Sequence, residues 1–211
     1  MAGAVVSFAQ QKGGAGKTTL AVQLGIAWLT MGRRIAMLDI DPQGSLMAWR
    51  DLRRRHQGDQ DGLLVQGLSG WRLGAEIGRL RGERDLILVD SPPHAESDAR
   101  AAIREADLAL VPCQPAALDV WASAQTLELA QAARTDALLV LNRVPPRSRA
   151  AEQIRREIAA QRWPVATALL GNRQAFAASV GEGRGVAETA PKSTAGQEIA
   201  ALAAEVLARL G

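Results

Sequence analysis

The chain has 211 residues, 47% of them hydrophobic and 22% charged, with a net charge of +3. Such proportions exclude a disordered or fibrous chain and predict one globular domain, residues 1–211, with a substantial core. No apolar stretch is long enough to span a bilayer, no basic leader precedes the first apolar run, and the single Cys113 excludes a disulfide framework, so the expected compartment is the cytoplasm.

The first apolar run, residues 4–9, reads as a strand, and Leu20, Leu24, Ala27 and Trp28 read as one face of a helix. Between them lies Gln11-Lys12-Gly13-Gly14-Ala15-Gly16-Lys17-Thr18-Thr19. Lysine is scarce in this chain, three of 25 basic residues, and two of the three fall in this run. A loop that grips phosphate needs glycines so that backbone N–H groups can approach, a lysine as a point charge and a hydroxyl for Mg²⁺. Gly13, Gly14, Gly16, Lys17 and Thr18 supply all three, and the helix that follows aims its N-terminus at the anion. The usual first glycine of such a loop is replaced by Gln11, and a second lysine, Lys12, opens the run. Lys12 alone reads as a solvated charge or a second phosphate contact; its place against a triphosphate loop favours the contact.

Residues 34–39 form the next strand pattern, closing in Leu38-Asp39-Ile40-Asp41-Pro42-Gln43-Gly44. Residues 50–82, rich in arginine and glycine, read as helix, loop and a short edge element, with Arg53-Arg54-Arg55 as solvated surface. Strand patterns follow at 85–90, ending in Asp90-Ser91-Pro92-Pro93, and at 106–111, ending in Val111-Pro112-Cys113-Gln114-Pro115. Two more follow at 137–142, ending in Asn142-Arg143, and at 165–170. Helical spacing appears at Ile154 and Ile158, and again at Ile199, Leu202, Ala203, Val206 and Leu210. Continuous rather than alternating hydrophobicity means strands covered on both faces. The expected fold class is α/β: a doubly wound, mostly parallel sheet with helices on both faces.

Ligands of such sheets bind at the carboxyl ends of the strands, where Asp39, Asp41 and Asp90 all fall. Asp90, at the end of an apolar run, suits the carboxylate that approaches a Thr-bound Mg²⁺. Aspartates at strand-to-helix junctions also cap helices, and the two roles can coexist. His56 and His94 are isolated, with His94 read either as a loop residue or as lining the site.

The Lys-Gly-Gly-x-Gly-Lys-Thr run resembles the deviant Walker A motif of the ParA/MinD family of P-loop ATPases, and Asp-x-Asp-Pro-Gln-Gly resembles that family's second acidic motif. The likeness extends from Val5 to the final helix. It implies ATP held by Gly13, Gly14, Ala15, Gly16, Lys17, Thr18 and Thr19, and Mg²⁺ on Thr18 and Asp90 with Asp39 in the outer shell. It also implies that Asp41 orients the attacking water and that Lys12 crosses a dimer interface to the other subunit's nucleotide. Pro115, Asn142 and Arg143 match positions that border the nucleotide and its base, although Pro and Asn also end strands for local reasons. One cysteine argues against the related iron–sulfur ATPases, whose bridging cluster takes two thiolates per subunit. Trp49 and the absence of a region before the first strand resemble the small, plasmid-type ParA proteins.

Members of that family act on DNA, a membrane or another protein. A lipid-surface helix needs a basic polar face, yet residues 200–211 carry only Glu205 and Arg209 as charges, so a MinD-like membrane role is disfavoured. From Arg143 to Ala187 there are eight arginines (Arg143, Arg147, Arg149, Arg155, Arg156, Arg162, Arg173 and Arg184) against Glu152, Glu157 and Glu182. This is either an electrostatic footprint for phosphates or the solvated face of an arginine-rich chain. Arg173 lies in a segment resembling the one that carries DNA-binding arginines in ParA proteins. The resemblance therefore implies a homodimer when ATP-bound, non-specific binding to double-stranded DNA, a nucleoid-associated location, and slow hydrolysis stimulated by a ParB-like or cargo adaptor. The rival from another class is an ATP-dependent synthetase of the dethiobiotin or cobyrinate amidase kind.

Overall fold

The computed structural model describes residues 2–58, 62–93 and 96–211, so His94 lies outside the described residues. The chain runs β1 (Ala4–Phe8), α1 (Lys17–Thr30), β2 (Ile35–Asp39), α2 (Ser45–Gln57) and β3 (Leu63–Gly67). A short 3-10 turn leads into α3 (Leu73–Leu80), then β4 (Leu86–Asp90), α4 (Glu96–Arg104), β5 (Leu108–Cys113), α5 (Ala117–Ala133) and β6 (Asp136–Leu141). Four helices close the chain: α6 (Arg149–Ala160), α7 (Gln174–Gly181), α8 (Val186–Thr189) and α9 (Thr194–Leu210). The six strands form one sheet in the order β3-β2-β4-β1-β5-β6, with every pair parallel.

Both faces of the sheet are covered, which is why its strands read as unbroken apolar runs. Val6, Phe8, Met37 and Leu88 point to one side and pack against Leu20, Leu24 and Trp28 of α1 and Ile199, Leu202 and Val206 of α9. Val5, Leu38, Ile87 and Val89 point to the other, against Leu73, Ile77 and Leu80 of α3 and Ala102 of α4. This alternation is the period-two geometry of a strand, with an apolar layer on each side. The Trp28 Nε1 donates to the Ala203 carbonyl at 3.2 Å, giving the one polar atom of that large side chain a partner. No helix among the described residues is long and apolar enough to cross a membrane. The helix α9 buries Ile199, Leu202, Ala203 and Val206, the face expected from its spacing.

Two expectations are corrected. Residues 165–170 do not form a strand: they touch β6 through an isolated bridge, Leu139 to Val165, and a few backbone hydrogen bonds. The amides of Thr167 and Ala168 donate instead to the Glu205 carboxylate of α9, at 2.7 and 2.9 Å. Amides spent on a carboxylate cannot extend a ladder. Nor is the 53–55 run wholly solvated surface. Arg54 and Arg55 are exposed, but Arg53 is buried, ion-paired to Glu188 at 2.6 Å, donating to the Gly183 carbonyl at 3.0 Å and lying 5.5 Å from the Trp49 ring centroid. A buried guanidinium requires such partners. The pair ties α2 to α8.

Candidate nucleotide site

The strand register fixes the site. Asp39 on β2 lies opposite Asp90 on β4, and Asp90 lies opposite Phe8 on β1, so two carboxylates and the entry to the 9–16 loop share one end of the sheet. That end is the carboxyl edge, as expected for ligands of a parallel sheet.

The loop has the geometry of an anion cradle. Gly14 and Gly16 take φ of 76° and 96°, backbone that L side chains rarely adopt. A side chain at Gly16 would also collide with the Asn142 amide, whose nitrogen lies 2.6 Å from where a Cβ would stand. Among the described residues, the backbone amides of Gly13, Gly14, Ala15, Gly16, Lys17 and Thr18 have no hydrogen-bond partner, while α1 begins at Lys17. Unpartnered amides at a helix N-terminus attract phosphate. Two side chains brace the loop from outside: Asn142 Nδ2 donates to the Ala15 carbonyl at 2.9 Å, and Gln114 Nε2 to the Gly14 carbonyl at 3.1 Å.

Lys17 is 7% exposed and its Nζ donates to the Gln10 carbonyl at 3.1 Å, which holds the ammonium beneath the loop. Burial lowers its pKa, and the charges of Asp90 and Asp41 oppose that shift. Thr18 Oγ1 donates to Asp90 Oδ2 at 2.6 Å. Asp90 is 1% exposed, and its other oxygen, Oδ1, is buried without a partner. Burial pushes its carboxyl up to about 7; the Thr18 hydroxyl bond pulls the other way, and the nearby Asp39 adds to the rise. Asp39 is raised too, chiefly by burial, although its oxygens accept the amides of Asp41 and Met47 at 3.0 and 3.2 Å. An orphan carboxylate oxygen beside a threonine hydroxyl is a donor set that suits a hard divalent cation. No cluster of three metal-ligating side chains exists among the described residues, and Mg²⁺ at a nucleotide usually takes most of its ligands from phosphate oxygens and water.

A pH dependence follows for the nucleotide-free protein. A carboxyl whose folded pKa exceeds its unfolded value contributes stability that is full below the ordinary carboxylate range and is lost as pH rises through about 7. Thermal melts without nucleotide should therefore show Asp90→Asn gaining on the wild type between pH 5.5 and pH 8, melting several degrees higher at pH 8. A parallel pH profile in the two proteins would contradict this environment for Asp90.

Asp41 is half-buried just beyond β2, its Oδ1 accepting the Gln43 amide at 2.9 Å. Its Oδ2 bonds nothing among the described residues, and it lines a cavity of ≈ 550 Å³ with Asp39, Met47, Trp71 and Asp98. Lys12 sits at the loop's mouth, its side chain 40% exposed, with Nζ 2.5 Å from Oδ2 of Asp119, a nearly buried residue in the first turn of α5. Gln10 joins this corner together: its Nε2 donates to the Pro112 carbonyl and to Ser123 Oγ, at 3.2 and 2.9 Å. Asp119 is the partner of Lys12 that the sequence does not reveal, because no local spacing links it to a lysine 107 positions earlier.

The positions expected near the base gather around two openings. Arg143 borders a cavity of ≈ 430 Å³ shared with Thr19, Gln23, Asn142, Arg173 and Phe176, and another of ≈ 410 Å³ shared with Pro115 and Asn172. Asn142 donates to the Ala15 carbonyl and accepts from the Arg143 amide, so it braces the loop. The arginines expected to form one footprint separate. Arg147, Arg149, Arg155 and Arg156 are exposed on or just before α6. Arg173 is exposed but held by Glu198 at 2.6 and 2.9 Å. Arg184 is half-buried, its carbonyl accepting from Trp49 and its guanidinium donating to the Glu188 carbonyl.

A loop of free amides over a buried lysine, closed by a threonine–aspartate pair, makes this chain a P-loop nucleotide-binding protein. Comparison with known proteins narrows the class: residues 6–186 match the model of the CobQ/CobB/MinD/ParA nucleotide binding domain, and the chain belongs to that family. The maintenance of carboxysome distribution protein A of Halothiobacillus neapolitanus is 31% identical over 209 residues, covering 96% of this chain and 95% of that one. The chromosome-partitioning ATPase Soj of Thermus thermophilus is 27% identical across 97% of this chain and 96% of its own. The ATP complex of a Cyanothece McdA variant shares the fold, with a TM-score of 0.81 over 99% of this chain and 97% of that one at 18% identity. The chain is thus an ATP-hydrolysing enzyme of the ParA/MinD type, working with ATP and Mg²⁺.

Proposed function

We propose that this ATPase is a positioning switch: ATP brings two copies together, the pair binds DNA without sequence preference, and hydrolysis, slow alone and stimulated by a ParB-like or cargo adaptor, resets it. The observation that carries the reading is the division of labour between the two loop lysines. Lys17 already occupies the buried place under its own loop, whereas the Lys12 ammonium stands at the half-exposed mouth, parked on Asp119. A second phosphate-seeking cation that is not needed in its own subunit is suited to the nucleotide of another. Each Lys12 then engages the facing phosphates, and Asp41 orients the attacking water. Bound Mg²⁺ neutralises phosphate charge; Thr18 and Asp90 would hold it, with Asp39 supporting from behind. Likeness to a carboxysome-distribution protein and to a chromosome-partitioning ATPase over nearly the whole chain supports a positioning role on the nucleoid.

Linkage makes the DNA step depend on nucleotide: if DNA prefers the dimer and ATP makes the dimer, ATP promotes DNA binding. Phosphate release with and without DNA, together with sizing in ADP and in ATP, tests the whole reading. An ATP-bound protein that stays a single subunit, or that ignores DNA in both states, would overturn it. The DNA surface has its own test at the exposed α6 arginines. Reversing Arg155 and Arg156 to Glu together should flatten the salt dependence of DNA binding by roughly two units of slope, since each phosphate contact contributes about 0.9. Nucleotide affinity should stay as it was. Unchanged DNA retention would remove α6 from the footprint.

A further inference from the structure

Two large apolar side chains on α5 have no cover. Leu118 is 65% exposed and Trp121 is 66% exposed, whereas Val120 and Ala130 of the same helix are buried in the core and Leu127 and Leu129 are half-buried against it. Separated by three positions, the two lie side by side on the outer face of the first turn. Between them in sequence is Asp119, whose carboxylate holds the Lys12 ammonium at 2.5 Å. The patch is therefore within one helical turn of the loop's leading lysine. The same segment is joined to the loop a second time by Gln114, which donates to the Gly14 carbonyl.

We infer that Leu118 and Trp121 form the apolar part of the surface by which two ATP-bound copies of this chain meet. The inference rests on the cross-subunit role proposed for Lys12 and adds the residues that must be covered when that role is exercised. A facing copy near enough for its phosphates to receive the Lys12 ammonium lies over the first turn of α5, because Asp119, the present partner of that ammonium, is on that turn. Twofold symmetry presents the same patch from both sides, so each Trp121 is covered at the same time as each Lys12 is engaged. Tryptophan is among the side chains that most often anchor an interface. Lys12 exchanges Asp119 for phosphate as the patch is covered, which couples apolar burial to the presence of the third phosphate.

The test is sedimentation of Leu118→Glu and Trp121→Glu in Mg-ATP, in an Asp41→Ala background that suppresses turnover, with Lys12→Ala and the parent protein beside them. Titration with a fluorescent ATP analogue reports folding and the nucleotide site. Each glutamate variant should bind nucleotide as the parent does yet self-associate at least about tenfold more weakly, and Trp121→Phe should restore most of the loss. Glutamate variants that associate like the parent, while Lys12→Ala does not, overturn the patch and leave the cross-subunit lysine standing. A parent protein that stays a single subunit in ATP overturns both.

Discussion

Asp41→Ala is expected to lower ATP turnover by about 10²–10⁴-fold, the usual contribution of a positioned proton acceptor, and to trap the ATP state on DNA. The structure supplies the reason for the expectation. One Asp41 oxygen is committed to the Gln43 amide and shapes the turn into α2, while the other is uncommitted and borders a cavity at the carboxyl edge of the sheet. Asp41→Ala removes both oxygens, and Asp41→Asn separates their roles: the amide keeps an acceptor for Gln43 but is a poor base. Phosphate release and DNA retention should therefore be equally altered in both variants. Normal turnover in Asp41→Asn would remove the carboxylate from the chemistry and leave it a turn former.

Lys12→Ala is expected to keep ATP affinity within a few-fold and to abolish both ATP-dependent dimerisation and DNA retention. Affinity survives because the loop amides, Lys17 and the Thr18–Asp90 pair lie within one subunit. The variant also leaves Asp119 nearly buried without its counter-charge, a cost of its own. Adding Asp119→Asn to Lys12→Ala removes that cost. If the single and double variants share the defect, the missing ammonium is responsible; recovery of dimerisation in the double variant would make unpaired Asp119 the cause. Sizing and nucleotide titration on the four proteins of this cycle decide between them.

The site was legible in the sequence wherever its chemistry is local. The phosphate loop, the Asp39–Asp41 pair and Asp90 are each read within a few residues, and the register that unites them follows from strands buried on both faces. What escaped depends on partners far away in the chain. Residues 165–170 have the composition of the true strands, and only Glu205, on the last helix, takes the amides that a ladder would need. The arginine triplet at 53–55 looks uniform, yet helical geometry turns Arg53 inward to Glu188, 135 positions later, and leaves Arg54 and Arg55 outside. Asn142 reads only as a neighbour of the nucleotide; its bonds to the Ala15 carbonyl and the Arg143 amide, one of them to a loop 127 positions earlier, have no local signal. The arginine excess from 143 to 187 is a property of the sequence; in the structure Arg173 is tied to Glu198 and Arg184 is half-buried, while the arginines on and beside α6 are exposed.

The most direct measurement is a crystal structure of the Asp41→Ala protein with ATP and Mg²⁺. The account predicts two copies face to face, Lys12 of each released from Asp119 and resting on the other copy's phosphates. A single subunit with triphosphate bound, or a pair in which Lys12 still rests on its own Asp119, would contradict it.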